Sequence, residues 1–187
     1  MELKKYQKQV IADLRTYLNC LEETRDSEKA YAKFWNDKGY RIGSSGVPPY
    51  RNTIKNTPHI CFKVPTGGGK TLLAASSIKP IIDSMPPYKK KFIVWLVPSD
   101  TILTQTTKNL QNPDHPYHQK IAADFGGRFT VYSKEELLNG QNINITTAAS
   151  QLSIAVLSYA SLKIDPEKIQ NTTKKTKDIN RNLYKEN

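Results

Sequence analysis

The run Pro65-Thr66-Gly67-Gly68-Gly69-Lys70-Thr71 constrains this chain more than any other feature. Three successive glycines admit backbone conformations closed to other residues, so that neighbouring N–H groups can converge on one anion. A β-favouring apolar stretch, residues 60–64, precedes the run, and a helix-like stretch, residues 72–83, follows it. Strand, glycine loop and helix in that order grip a phosphate, because the positive end of the helix adds to the attraction. In such a loop the Lys70 ammonium stands by the β- and γ-phosphates, and the Thr71 hydroxyl holds the Mg2+ that bridges them. The strict pattern G-x-x-x-x-G-K-[ST] asks for glycine at position 64, where this chain has Val64; the phosphate-facing half is intact. Nucleotide binding is the expectation, with Pro65, Thr66, Gly67, Gly68, Gly69, Lys70 and Thr71 in contact and Lys70 and Thr71 as the catalytic pair.

The remaining pattern is that of an α/β domain. Leu3, Tyr6, Val10, Leu14, Leu18 and Leu21 recur every three or four positions, which predicts an amphipathic helix over 3–21. Residues 22–57 lose that period to charge, two aromatic clusters (Tyr31, Phe34, Trp35 and Tyr40, Tyr50) and a turn-rich stretch, and are expected to be an insertion or irregular loop. The continuous apolar run 92–97 suits a central parallel strand buried on both faces. Ser99 or Asp100 can cap a helix over 101–110; a helix over 114–125 is interrupted near its start by Pro116; and 128–132 alternates like a short strand. Ser133 and Glu136 have capping-box spacing, with Gly140 as the stop of that brief helix, and 153–159 reads as the last strand. Strands alternating with helices predict a parallel sheet covered on both faces. The polar segment 166–187 has few apolar anchors and reads as a frayed or partner-dependent end.

Composition narrows the function classes. Lys and Arg number 28 against 17 Asp and Glu, a net charge of +11 over 187 residues that favours an anionic partner. The longest apolar run, 92–97, is far below the roughly 20 residues needed to cross a bilayer, and residues 1–10 are charged where a signal peptide is apolar, so a soluble, cytoplasmic chain without membrane contact is expected. Two cysteines make neither a disulfide framework nor a four-ligand zinc site; both read as reduced thiols, with Cys61 as core packing. Asp114, His115 and His118 have metal-like residue types, but no second cluster completes four ligands, and no metal is assigned beyond the nucleotide's magnesium. The aromatic and basic stretch 31–51 reads as loop anchoring rather than base stacking.

With those residues in view, the chain resembles the first motor domain of superfamily 2 helicases, whose loop commonly reads A/P-x-T-G-x-G-K-T. More specifically it is similar to the ATPase (Res) subunit family of type III restriction enzymes. Leu3-Lys-Lys-Tyr-Gln7, Pro49-Tyr-Arg51, Val64 to Leu73, Val94-Trp-Leu-Val-Pro-Ser99, Pro113-Asp-His-Pro-Tyr117, Phe125-Gly-Gly-Arg128 and Val156-Leu-Ser-Tyr-Ala-Ser-Leu162 carry the likeness in the family's order. It implies a RecA-like, parallel-sheet P-loop NTPase fold, incomplete at its C-terminal end, with ATP and Mg2+ as ligands. It also implies that Gln7 reads the adenine edge, since a side-chain amide offers both a donor and an acceptor; the intervening insertion must then fold back on the loop. Ser99 and Thr101, then Gly127 and Arg128, then Ser158 and Ser161 correspond to segments that touch the nucleic-acid backbone, where hydroxyls and N–H groups hold phosphate without reading sequence.

Under this resemblance the chain divides into an N-terminal helix (1–21), an insertion (22–57), a partial helicase ATP-binding domain (58–165) and a polar tail (166–187). Hydrolysis in this class needs an Asp-Glu pair after a later strand and arginines from a second motor domain. No Asp-Glu dipeptide occurs in the sequence, so the chain reads as an N-terminal piece that binds nucleotide without turnover. The parent is expected to be an ATP-driven motor on double-stranded DNA, linked to restriction, partnered by a methyltransferase (Mod) subunit, with any endonuclease elsewhere. The alternatives are an ATP-dependent RNA helicase or remodeller, a small phosphate-loop kinase or nucleotide switch, and a basic nucleic-acid-binding module with a vestigial loop.

Overall fold

In a computed structural model, which describes residues 2–54, 57–86, 91–138 and 151–162, the chain runs α1 (Lys5–Thr24), α2 (Ser27–Asp37), α3 (Lys70–Asp83), β1 (Phe92–Val97), α4 (Asp100–Gln111), α5 (Pro116–Phe125), β2 (Phe129–Tyr132), α6 (Lys134–Leu138) and β3 (Leu152–Ser158), closed by a one-turn 3-10 helix, Tyr159–Leu162. The strands form a parallel sheet in the order β1-β3-β2, with Val97 level with Ser158 and Phe129 level with Leu152. The α/β class and the parallel pairing are as the sequence predicts.

β3, rather than β1, is the central strand. It is hydrogen-bonded on both sides, and Leu152 to Val156 are buried without a break, so both of its faces are covered. Around it Ala75, Ile78 and Ile82 of α3, Leu110 of α4, Ile121 of α5 and Val131 of β2 form the main core. Each fully enclosed Leu or Ile there contributes about 1.5–3 kcal/mol relative to exposure. The expectation that 92–97 is central and doubly buried is corrected: β1 lies beside β3 alone among the described strands. Ile93, Trp95 and Val97 face the core, while Phe92, Val94 and Leu96 on the other face are 52%, 49% and 40% exposed. An apolar run reports the affinity of a strand for a core, not how many neighbours it finds.

The expected strand over 60–64 is also corrected. The stretch carries no regular secondary structure, and Ile60 and Phe62 are exposed. A strand exists only within a ladder, and a groove of about 570 Å³ lined by Phe62, Val64, α3 and β1 separates this stretch from the sheet. Cys61 is accordingly exposed rather than core; Cys20 is buried, and both thiols are free.

The 22–57 stretch expected to be irregular contains α2. Asp26 caps it by accepting from the N–H groups of Glu28 and Lys29, and Arg25 takes the left-handed turn (φ 54°) that ends α1. The two helices pack through Tyr17, Cys20, Ala30 and Phe34, with Tyr17 and Phe34 edge-on at 6.1 Å. Burial, with Tyr50 nearby, pushes the Tyr17 phenol up to about 12, and burial also raises the Cys20 thiol, so both stay neutral at physiological pH. Pro116 starts α5 rather than interrupting it, which suits its fixed φ and missing N–H. The capping box of α6 forms in both directions, Glu136 N–H to Ser133 Oγ at 3.3 Å and Ser133 N–H to Glu136 Oε2 at 2.7 Å. The Gly140 stop and the 166–187 tail lie outside the described residues.

Candidate functional site

The glycine run builds a loop with a defined shape. Pro65 to Gly68 is a β-turn closed by Gly68 N–H to Pro65 O at 3.0 Å, with Gly67 at φ +74°, the positive value that the third position of a type II turn requires. Gly69, at φ +72° and ψ 41°, then hands the chain directly into α3 at Lys70. The first N–H groups of a helix lack intrahelical acceptors and sit at its positive pole, so the opening turn of this 14-residue helix is an anion site by construction. Lys70 is exposed, and its Nζ donates to Pro65 O at 3.0 Å, which lays the ammonium over the loop. Thr71, half-buried, follows in the first turn.

The N-terminus of α1 meets this loop, so the chain between them does fold back. Gln7 is 3% exposed; its Oε1 accepts from Lys4 N–H at 2.8 Å and its Nε2 donates to Gly68 O at 3.1 Å. One N–H and one lone pair of the amide remain for a ligand. Tyr6 OH donates to the same Gly68 carbonyl at 2.5 Å. In the sequence Tyr6 stands as an apolar helix position and as the aromatic before Gln7, with no role of its own at the loop.

The strand-end residues divide into two groups. Ser99 and Thr101 follow the end of β1, and Ser158 and Ser161 lie at the end of β3, so the parallel register puts all four at the C-terminal edge of the sheet. Gly127 and Arg128 precede β2, and Phe129 is level with the start of β3. The seven residues of β3, six steps of roughly 3.3 Å each, therefore separate them from the other four by about 20 Å. Ser99 Oγ accepts from Ile102 N–H at 3.4 Å and caps α4. Ser158 is fully buried and its Oγ meets Ser161 Oγ at 3.1 Å and Ser161 N–H at 3.3 Å. Gly127 N–H donates to Ala122 O at the end of α5, while Arg128 is exposed.

His115 and His118 serve local structure: Nδ1 of His115 accepts from Tyr117 N–H, and Nδ1 of His118 lies 2.7 Å from Leu110 O. Among the described residues no group of three His, Cys, Asp or Glu side chains is placed to hold a metal. The residues at the loop do fit a magnesium triphosphate: two positive-φ glycines, the opening turn of α3, an ammonium and an adjoining hydroxyl.

A parallel α/β sheet with a glycine loop opening a helix defines a phosphate-loop nucleotide-binding domain. Residues 1–182 match the family described as type III restriction enzyme, res subunit, and the chain belongs to that family. The family is a superfamily 2 helicase-type domain, an ATP-dependent, helicase-like nucleotide-binding module whose members use ATP, usually with Mg2+. No curated protein and no solved structure shows a significant match to the chain. No helix among the described residues is long and apolar enough to cross a membrane.

Proposed function

We propose that this chain is the nucleotide-binding part of an ATP-dependent DNA helicase or translocase, the Res subunit of a type III restriction-modification system, acting in the cytoplasm with a Mod methyltransferase on double-stranded DNA. The observation that carries the reading is the loop itself, a turn whose two left-handed glycines deliver Lys70 and Thr71 to the N-terminus of α3. The family match and the net charge of +11 support it. On this reading residues 1–21 and 58–165 make up the nucleotide unit. ATP would be held by Pro65 to Thr71, with Lys70 exchanging the Pro65 carbonyl for phosphate oxygens and Thr71 holding Mg2+. Gln7 would use its remaining N–H and lone pair on adenine.

Duplex DNA would meet Ser99, Thr101 and Ser161 at the C-terminal edge of the sheet, where open α/β folds bind ligands, with the enclosed Ser158 behind them holding Ser161. Gly127 and Arg128 would make a separate backbone contact at the opposite edge. No Asp-Glu pair is present to polarise water, so this chain binds ATP without turning it over; sustained DNA-stimulated hydrolysis by the purified chain would overturn that. The direct test is calorimetry of Mg-ATP with the wild type and Lys70→Ala, with and without duplex DNA. A charged hydrogen bond of about 1.5–3 kcal/mol is at stake, so binding should weaken at least about tenfold in the variant. Equal affinity would show that the loop is misread.

A further inference from the structure

We infer that Tyr6 is a positioning residue for the phosphate loop, holding the Gly68–Gly69 peptide so that the Gly69 N–H faces the bound phosphates whatever base the nucleotide carries. The inference rests on the nucleotide reading above and adds to it a residue which that reading does not use. The Gly68 carbonyl accepts two side-chain hydrogen bonds from one helix, from Tyr6 OH and Gln7 Nε2. In a planar trans peptide the C=O and the following N–H point in opposite directions. Anchoring the Gly68 carbonyl on α1 therefore turns the Gly69 N–H away from α1.

Gly69 is the residue that hands the loop into the first turn of α3, so the N–H turned away from α1 joins the donors of that turn. The fit is close: a Cβ on Gly69 would stand 2.6 Å from Gln7 Nε2, and one on Gly68 would stand 3.3 Å from the Tyr6 hydroxyl. The two braces differ in their other duties. Gln7 is also tied to Lys4 N–H and has an amide edge left over, so its grip on Gly68 is shared with other work. The Tyr6 hydroxyl holds this carbonyl, and the ring is 40% exposed, so its burial contributes little and the hydroxyl is the feature to test.

Tyr6→Phe in the full 187-residue chain keeps the ring and removes the brace. Its affinity for magnesium tripolyphosphate, ATP, GTP and adenosine is measured by calorimetry beside the wild type, with thermal melting and the Gly69 amide resonance in ligand-free, isotope-labelled samples. The expected result is a loss of about three- to tenfold for tripolyphosphate, ATP and GTP alike, the range one hydrogen bond supports. Adenosine binding stays unchanged, the melting temperature falls by no more than one hydrogen bond accounts for, and the Gly69 amide shifts. Tripolyphosphate affinity equal to wild type would overturn the inference, as would a loss confined to adenine ligands or a lowered melting temperature with unaltered affinity. If the wild type binds no polyphosphate at all, the nucleotide reading falls first. The Gly69 resonance then decides the brace: an unmoved signal overturns it, and a shifted one supports it.

Discussion

The phosphate loop and the C-terminal edge of the sheet satisfy their polar groups in opposite ways. At the loop, the Gly68 carbonyl is held by side chains 61 and 62 positions away in the chain. At the sheet edge, Ser99 Oγ serves Ile102 and Ser158 Oγ serves Ser161, each three positions on. Short-range bonds of this kind form wherever a helix starts and say little about ligands. Long-range bonds form only once the tertiary structure has brought two elements together, so the shape of the loop is imposed by the fold. The nucleotide reading therefore rests on geometry, whereas the nucleic-acid reading rests on position alone.

The largest effect that would break this contrast is expected at Gly69. Gly69→Ala forces a side chain into φ +72° and sets its Cβ against Gln7 Nε2. The left-handed conformation costs about 1–2 kcal/mol, and displacing the Gln7 amide removes a hydrogen bond of about 1 kcal/mol. Calorimetry should show triphosphate affinity falling more than about tenfold, and urea melts a loss of about 2–3 kcal/mol from those two terms. Gly126→Ala is the control: φ is +61° at the end of α5, but no atom lies within 4 Å of the added Cβ. It should lose only the conformational term and bind triphosphate normally. Identical behaviour of the two variants would mean that Gly69 is merely another left-handed turn.

How far the sequence carried the reading follows the same division. The loop was legible because its requirements are local: positive φ at glycines, a lysine and a threonine in order, and a helix behind. So were α1, from a sustained helical period, and the capping box of α6, whose two residues settle their own hydrogen bonds. What was illegible depends on neighbours. Residues 60–64 and 92–97 are both β-favouring and largely apolar, yet one has no ladder partner and the other has β3 alone among the described strands. α2 was hidden because only Ser27, Ala30 and Phe34 are buried along it, too few to stand out from its charges. The separation of Gly127 and Arg128 from the other strand-end residues is set by strand direction and register, which no motif encodes.

An intermediate effect is expected at Ser158. Its side chain is fully enclosed and receives the Ser161 N–H, so Ser158→Ala strands that donor in the 3-10 turn. The loss should be about 1–3 kcal/mol in denaturant melts, the cost of an unsatisfied buried group. If position alone brings Ser158 near DNA, the variant should bind duplex DNA as the wild type does once its lower stability is allowed for. A selective drop in DNA affinity without a stability change would instead place the Ser158 hydroxyl on phosphate and erase the contrast with the loop.

The smallest effect separates capping from contact at Ser99. Serine and aspartate cap helices about equally well, and a carboxylate at the N-terminus of α4 also meets the favourable pole of the helix. Ser99→Asp should therefore melt within about 0.5 kcal/mol of the wild type, whereas Ser99→Ala should lose about 1 kcal/mol with the bond to Ile102 N–H. Towards DNA the order reverses. A carboxylate at a phosphate contact repels it, so Ser99→Asp should weaken duplex binding several-fold at low salt, with the difference shrinking as salt screens the charge, while Ser99→Ala changes it little. If both variants bind duplex DNA as the wild type does across the salt range, Ser99 is a helix cap and nothing more, and the nucleic-acid path must leave the C-terminal edge of the sheet.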